Sequence, residues 1–416
     1  MKNKLMYLST LLLAGVLLLG TNGCKDDDPT ALTLTSLTAG SVDLNGAVAA
    51  TTVATDPTIV AVFTTSVDPA TANSSNITMV RDYDNANVTL TITTSGSTVT
   101  IVPTEVLASG ALYKLSFGAG IKSTDAQALT AMTRNFTTIG TFAPSGMVAY
   151  WNFEDNAEDQ AGTFDASAKI DVTYTASRNA AAGKAATFNG TTSIIEIPNG
   201  DQLMNTLDFT LNFWVKGVNS GKGHFVIGLA AFYGFQFELS GDFKNFKMPV
   251  QFDYGDGTSG TGGDLVYNGD GKTKDNGGWK GTTFNKENTA LDATLKEKWF
   301  HISYVYNSTT KERMFYLNGE LVVKQDHNLW TNDDGEPTKE AGITGLKYGG
   351  IAPETVNELA FGFIHSRAGT LWDGESWGGY EFPGANHFQG QLDDVRIYHK
   401  ALTAAEIDLM YKSEKP

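Results

Sequence analysis

Hydrophobic residues in this chain recur mostly at every second position, in runs too short for helices. Thr58-Ile59-Val60-Ala61-Val62-Phe63, Val88-Thr89-Leu90-Thr91-Ile92 and Thr98-Val99-Thr100-Ile101-Val102 show the pattern early, with Asp/Asn/Ser/Gly segments between them. Phe209-Thr210-Leu211-Asn212-Phe213-Trp214-Val215 and Trp299-Phe300-His301-Ile302-Ser303-Tyr304-Val305-Tyr306 repeat it later. Alternation places one set of side chains on a single face of a strand, and regular turn spacing argues for sandwiches. Met314-Phe315-Tyr316-Leu317 and Glu320-Leu321-Val322 flank Asn318-Gly319, which predicts a hairpin. Long amphipathic helical patterns are absent, so the chain reads as all-β.

The beginning departs from this pattern. Lys2 and Lys4 precede a Leu-rich, uncharged run over residues 5–20. A bilayer-spanning helix needs roughly 20 apolar residues, and a basic start with a short apolar stretch is the pattern of a secretory signal peptide. The run closes at Thr21-Asn22-Gly23-Cys24, and Cys24 is the only cysteine. This resembles a bacterial lipoprotein signal, which implies lipidation at Cys24 after removal of residues 1–23. Thr21 and Asn22 stand where the family pattern has Leu and a small residue. Lys25-Asp26-Asp27-Asp28 follows. An acidic cluster there resembles the export signal that carries some Gram-negative lipoproteins to the outer face of the outer membrane; the alternative is a solvated tether.

Acidic residues outnumber basic ones 46 to 30, a net charge of −16, with no Lys/Arg cluster. Nucleic acid and anionic lipid are therefore not expected as partners, because both need a basic footprint. Membrane contact is expected through the N-terminal lipid alone.

Five segments are expected: signal peptide 1–23, acidic tether 24–31, a first domain 32–140, a linker 141–146 and a second domain 147–416. In the first, Phe63, Val67-Asp68-Pro69, Val102-Pro103, Leu107, Gly110, Tyr113, Leu115, Gly120-Ile121, Asp125, Leu129 and Phe136-Thr137-Thr138 come in order. This resembles the bacterial Ig-like domain, whose usual role is a spacer. Tyr113 and Phe117 read as core residues, and the segment contains no histidine.

The second domain has different landmarks: Tyr150-Trp151-Asn152-Phe153, Thr187-Phe188-Asn189-Gly190, the strand pattern around Trp214, the Asn318-Gly319 hairpin, and Gln391-Leu392-Asp393-Asp394-Val395-Arg396-Ile397-Tyr398 before Ala404-Ala405-Glu406-Ile407. The series is similar to the laminin G-like, concanavalin A-like jelly-roll family, which implies two antiparallel sheets with long loops at one edge. Residues 241–295 and 326–359 read as insertions between the landmarks. The resemblance places Trp151, Trp214 and Trp299 in the core. It also implies a structural Ca²⁺ held by Asp393 with backbone carbonyls near Glu154 and Gly190, hard oxygen ligands that suit this ion; the alternative is that Asp393 and Asp394 end an exposed strand or pair with Arg396.

Catalytic chemistry finds little support. Glycoside hydrolysis needs paired carboxylates, and the nearest string, Glu406-Ile407-Asp408, lies in the closing helix turn, where it is expected to face solvent. Gly374-Glu375-Ser376-Trp377-Gly378 lacks the strand and helix a nucleophile elbow requires. The six histidines show no zinc spacing. Trp279, Trp330, Trp372, Trp377 and Tyr380 fall in polar, loop-like surroundings, where a large aromatic is costly to expose unless it covers something; the alternative to a ligand role is that the loop tryptophans cap the edge of the sandwich. Sugar rings stack on such side chains, while Asp, Asn and Glu accept hydrogen bonds from hydroxyls. The reading is a non-catalytic surface lipoprotein that recognises polysaccharide or glycoconjugate through these aromatics. The alternatives are an adhesion module for a protein partner and, less favoured, a glycoside hydrolase.

Overall fold

The computed structural model describes residues 29–271 and 281–416, so Cys24, the acidic tether and Trp279 lie outside the described residues. Two β-sandwiches follow one another, as the alternating pattern predicts. In the first, one sheet runs in the spatial order Val42–Asp43, Leu34–Ala39, Ile59–Phe63, Thr98–Pro103, Leu90–Ser95. The other runs Ala50–Val53, Met132–Thr138, Leu112–Phe117, Ile77–Arg81, Asn87–Val88. Alternation turns Ile59, Ala61 and Phe63 inward against Tyr113, Leu115, Phe117 and Phe136, all buried. The run 88–92 is not one strand: the chain changes sheet at Thr89. Residues 141–146 are not a free linker. Ser109 and Ala143 exchange backbone hydrogen bonds of 3.0 and 3.2 Å, and Phe142 is buried.

The second sandwich pairs a nine-stranded with an eight-stranded sheet. The nine-stranded sheet is built around Gln389–Tyr398, which pairs with Met147–Trp151 and Lys184–Asn189 on one side and Phe209–Gly217 on the other. Phe300–Asn307, Glu312–Leu317 and Glu320–Asp326 extend it, the last two joined at Asn318 and Gly319, whose φ values of 51° and 81° suit the tight turn. The eight-stranded sheet contains Ile194–Ile197, Leu359–Phe361, His224–Leu229, Phe235–Leu239, Phe246–Asp253 and Ser259–Tyr267. Between the sheets lies an aromatic-rich core in which Phe361 meets Trp151 and Phe153 edge-on at 5.1 and 5.7 Å.

Part of the 241–295 insertion is therefore sheet. Phe246, Met248, Val250 and Phe252 point into the core, and the glycine-rich Ser259–Tyr267 pairs beside them. The buried Arg313 guanidinium holds that strand by donating to the carbonyls of Gly262 and Gly263 and to Gln325.

The helix Ala404–Glu414 lies on the outer face of the nine-stranded sheet. There Ile407 and Met410 cover Val305, Tyr316 and Tyr398, in a cluster continuous with the first domain's core. Glu406, expected in solvent, is fully buried. It is the third residue of a capping box with Thr403, accepts from Lys400 Nζ at 2.7 Å, and takes the Tyr83 hydroxyl of the first domain at 3.2 Å. Its partner in the rejected carboxylate pair, Asp408, instead bonds Lys412 on the helix surface.

Glu406→Ala should cost about 1–3 kcal/mol, because it strands Tyr83 and Lys400 as well as the cap. All seven tryptophans lie beyond residue 150, so their fluorescence reports only the second domain. In urea, far-UV dichroism and tryptophan fluorescence should unfold together in the wild type and separate in Glu406→Ala. Coincident transitions in the variant would show that this contact does not couple the domains.

Candidate functional site

After Leu359–Phe361 the chain turns back across the outer face of the eight-stranded sheet, opposite the face that carries the first domain. Ile194, Phe225 and Ala360 present apolar side chains there, and Phe363, Ile364 and Ala385 of the returning segment bury against them. The approach is close because Gly228 has no side chain: a Cβ there would sit 2.1 Å from the Ile364 carbonyl oxygen. Two cations fasten the segment. Glu196, nearly buried on the sheet, accepts from the Arg367 backbone at 2.8 Å and from its guanidinium at 2.9 and 3.2 Å. Lys222 Nζ donates to the carbonyls of Ala385, Pro383 and Gly190 at 3.0, 3.4 and 3.3 Å.

Three of the five loop aromatics singled out in the sequence meet here. The rings of Trp372 and Trp377 lie 5.0 Å apart, tilted by 48°, and Trp377 stands edge-on to Phe225 at 6.0 Å. Trp377 remains 37% exposed. Tyr380 packs edge-on to Phe363 and to His387, and its hydroxyl bonds the Thr192 carbonyl. Asp373, Glu375 and Ser376 are exposed around the tryptophans. Burial lowers the pKa of both His365 and His387, so they are neutral at pH 7.

Trp279 lies outside the described residues, and Trp330 does not join them. Trp330 is 4% exposed and packs on His327 at 4.8 Å, inside a group with Phe252 and Tyr306. It caps the sandwich and presents no face to a ligand. Trp214 is buried, but on the outer sheet face beneath the C-terminal helix, and Trp299 is only half-buried, outside the aromatic core.

The residues expected to hold Ca²⁺ do not fit that ion. Asp393 Oδ2 accepts from Arg178 Nη1 at 2.6 Å and from Ser177, while Oδ1 accepts from the Asp394 backbone at 2.8 Å. A guanidinium already occupies the position a cation would take. Gly190 lies at the far end of the ladder, where Asn189 pairs with Gln389, whereas Asp393 follows the Ala186–Leu392 pair. Glu154 reaches the cluster's edge, lining a cavity of about 230 Å³ with Tyr150, Arg178 and Asp394. No group of three or more metal-ligating side chains occurs among the described residues.

What stands there is an ion network, of which the sequence suggested only the pairing with Arg396 and missed Arg178 and Glu414. Arg178 also bonds Asp394 at 2.5 Å and stacks 4.7 Å over Trp214. Arg396 bonds Asp394 at 3.1 Å and Glu414 at 2.8 Å, and Trp214 Nε1 donates to Glu414 at 2.8 Å. The pairing of Asp394 with Arg396 could be anticipated from their spacing, but Arg178 stands alone among small residues and gives no such signal. Two guanidiniums face three buried carboxylates. Burial and the neighbouring Asp394 raise Asp393 to about 8, and burial raises Glu414. Burial also pushes Asp394 upward, but Arg396 and Arg178 more than offset it and hold it low.

Arg178→Ala should destabilise the protein by about 3–5 kcal/mol, since it leaves buried carboxylates uncompensated. Asp393 binds its proton more tightly folded than unfolded, where a carboxyl titrates near 3.9. Its contribution is therefore full below about pH 4 and is lost as pH rises through about 8. Melting curves should show the wild type losing stability relative to Asp393→Asn across that window; a constant difference would refute the elevated pKa.

Residues 28–138 match the family model of the bacterial Ig-like domain. No curated protein matches the chain. Among solved structures the chain is similar to the botulinum neurotoxin type G receptor binding domain, at 14% identity and a TM-score of 0.38, over 64% of this chain and 51% of that one. It is also similar to the binding domain of Paraclostridial Mosquitocidal Protein 1, at 16% and 0.41, over 64% and 52%. A third is the botulinum neurotoxin serotype D ligand binding domain in complex with N-acetylneuraminic acid, at 14% and 0.41, over 65% and 51%. The chain spans about half the length of each of those structures. The N-terminal sandwich is an Ig-like domain, and a second, larger β-sandwich follows it.

Proposed function

We propose that this chain is a non-catalytic surface lipoprotein, anchored at Cys24 to the outer membrane and exposed on the cell surface. In this reading the Ig-like domain is a spacer, and the second domain, a jelly roll of the laminin G-like, concanavalin A-like type, binds polysaccharide or glycoconjugate. The observation that carries the reading is the Trp372–Trp377 pair, partly exposed and with the exposed carboxylates of Asp373 and Glu375 on the same turn. A sugar's C–H face would stack on Trp377 while its hydroxyls donate to Asp373 and Glu375. The placement agrees: the first domain packs on one face of the second sandwich and the aromatic loop on the other. A tethered spacer would thus present the loop away from its own attachment.

Binding of a protein partner is the second reading. Phe232, Tyr233 and Ile351 are exposed, and the Gly349 N–H bonds the Tyr233 carbonyl, bringing their segments together.

A glycan array probed with the protein should show saturable binding to one glycan class. Trp377→Ala should weaken it at least about ten-fold, the loss of a central stacking contact. Binding should survive chelator, because Asp393 is held by Arg178. No binding by folded protein would turn the assignment to the protein-partner reading. Separately, Cys24→Ser should abolish labelling by a fatty-acid precursor and release the protein from the membrane fraction; continued labelling would exclude Cys24 as the anchor.

A further inference from the structure

The charges around Trp377 are unbalanced in a way that bears on the ligand. Asp373, Glu375 and Glu381 are exposed on the same segment. Around Tyr380, Glu196, Glu381 and Asp171 outnumber Arg367. The two cations that fasten the loop are both committed. Arg367 gives two guanidinium bonds to Glu196 and stands 6.0 Å over Tyr380 with its side chain 40% exposed, so its charge is matched by Glu196, and Lys222 points at three backbone carbonyls. His365 and His387 are buried and uncharged at neutral pH. An ionised carboxylate only accepts hydrogen bonds. A ligand on Trp377 must therefore bring the donors, which the hydroxyls of any sugar do; a uronate or sulfate group adds only acceptors and a like charge beside the carboxylates.

Resting on the glycan reading above, we infer that the Trp377 surface selects uncharged glycans and rejects anionic ones. The selection comes from the charge balance: Arg367 is paired with Glu196 and Lys222 with backbone carbonyls, while, among the described residues, Asp373, Glu375 and Glu381 have no cation of their own on the segment. The repulsion acts between exposed charges, so it weakens as salt shortens the Debye length from about 10 Å at 0.1 M to about 3 Å at 1 M.

The test uses the full chain in detergent and matched polysaccharide pairs that share a backbone and differ chiefly in charge. Suitable pairs are fully methyl-esterified against de-esterified homogalacturonan, and hydroxyethyl- against carboxymethylcellulose, alongside the neutral and sialylated members of any glycan that binds on the array. Affinity electrophoresis at low salt should retain the protein on a neutral member and bind its anionic counterpart roughly ten-fold more weakly or worse. The triple variant D373N/E375Q/E381Q should narrow that gap to about three-fold or less, as should 1 M salt. An anionic glycan bound at least as tightly as any neutral one, and lost in Trp377→Ala, would overturn the inference while leaving the site intact. An unchanged gap in the triple variant would overturn it too. Failure of every glycan, or binding indifferent to Trp377→Ala, would instead remove the site itself and this inference with it.

Discussion

The arrangement of the second domain depends on one buried ion network at the centre of the nine-stranded sheet. Asp393, Asp394 and Arg396 project from the strand Gln389–Tyr398, which pairs with the domain's first strand as well as with Phe209–Gly217. Arg178 arrives from the turn before Lys184–Asn189, and Glu414 from the last turn of the C-terminal helix. Each ion loses several kcal/mol of hydration on burial. That cost is offset only when all partners stand together, so the network forms as a unit. It fixes where the C-terminal helix ends, and the helix in turn places Glu406 against Tyr83 of the Ig-like domain. The docking of two domains thus follows from charges buried well behind the interface.

The same logic of committed charge explains the opposite face. The eight-stranded sheet exposes an apolar strip that cannot remain bare, and the segment after Phe361 covers it. Its backbone needs fastening, which Arg367 and Lys222 supply. The remaining charges on the outside are acidic, beside a tryptophan that packing leaves partly exposed. Stability and surface chemistry are therefore set by one folding problem.

The strands of both domains were legible because alternation is a local signal, and Asn318-Gly319 because a tight turn has a local requirement. The Gly-rich strand Ser259–Tyr267 was not, since its place is secured by pairing and by the distant Arg313 rather than by its own side chains. Of the aromatics, Trp372, Trp377 and Tyr380 share a short stretch and came together, while Trp330 looked equivalent in sequence and proved to be packing. Asp393 stood out in the sequence as a carboxylate and was read as a calcium ligand, but its partner is a guanidinium 215 residues away in sequence.

The sequence by itself determined an all-β chain, the order of two sandwiches, the acidic surface and the loop in which exposed aromatics gather. These follow from periodicity, composition and turn chemistry, each contained within a few residues. The tertiary structure decided which face the loop covers, that Trp377 stays partly exposed and which groups the nearby cations pair with. It also decided that Asp393 meets Arg178 rather than the ligand set of a metal ion. Those outcomes depend on which distant groups share a buried environment, where removing water makes each charge demand a partner, and no local pattern records that pairing.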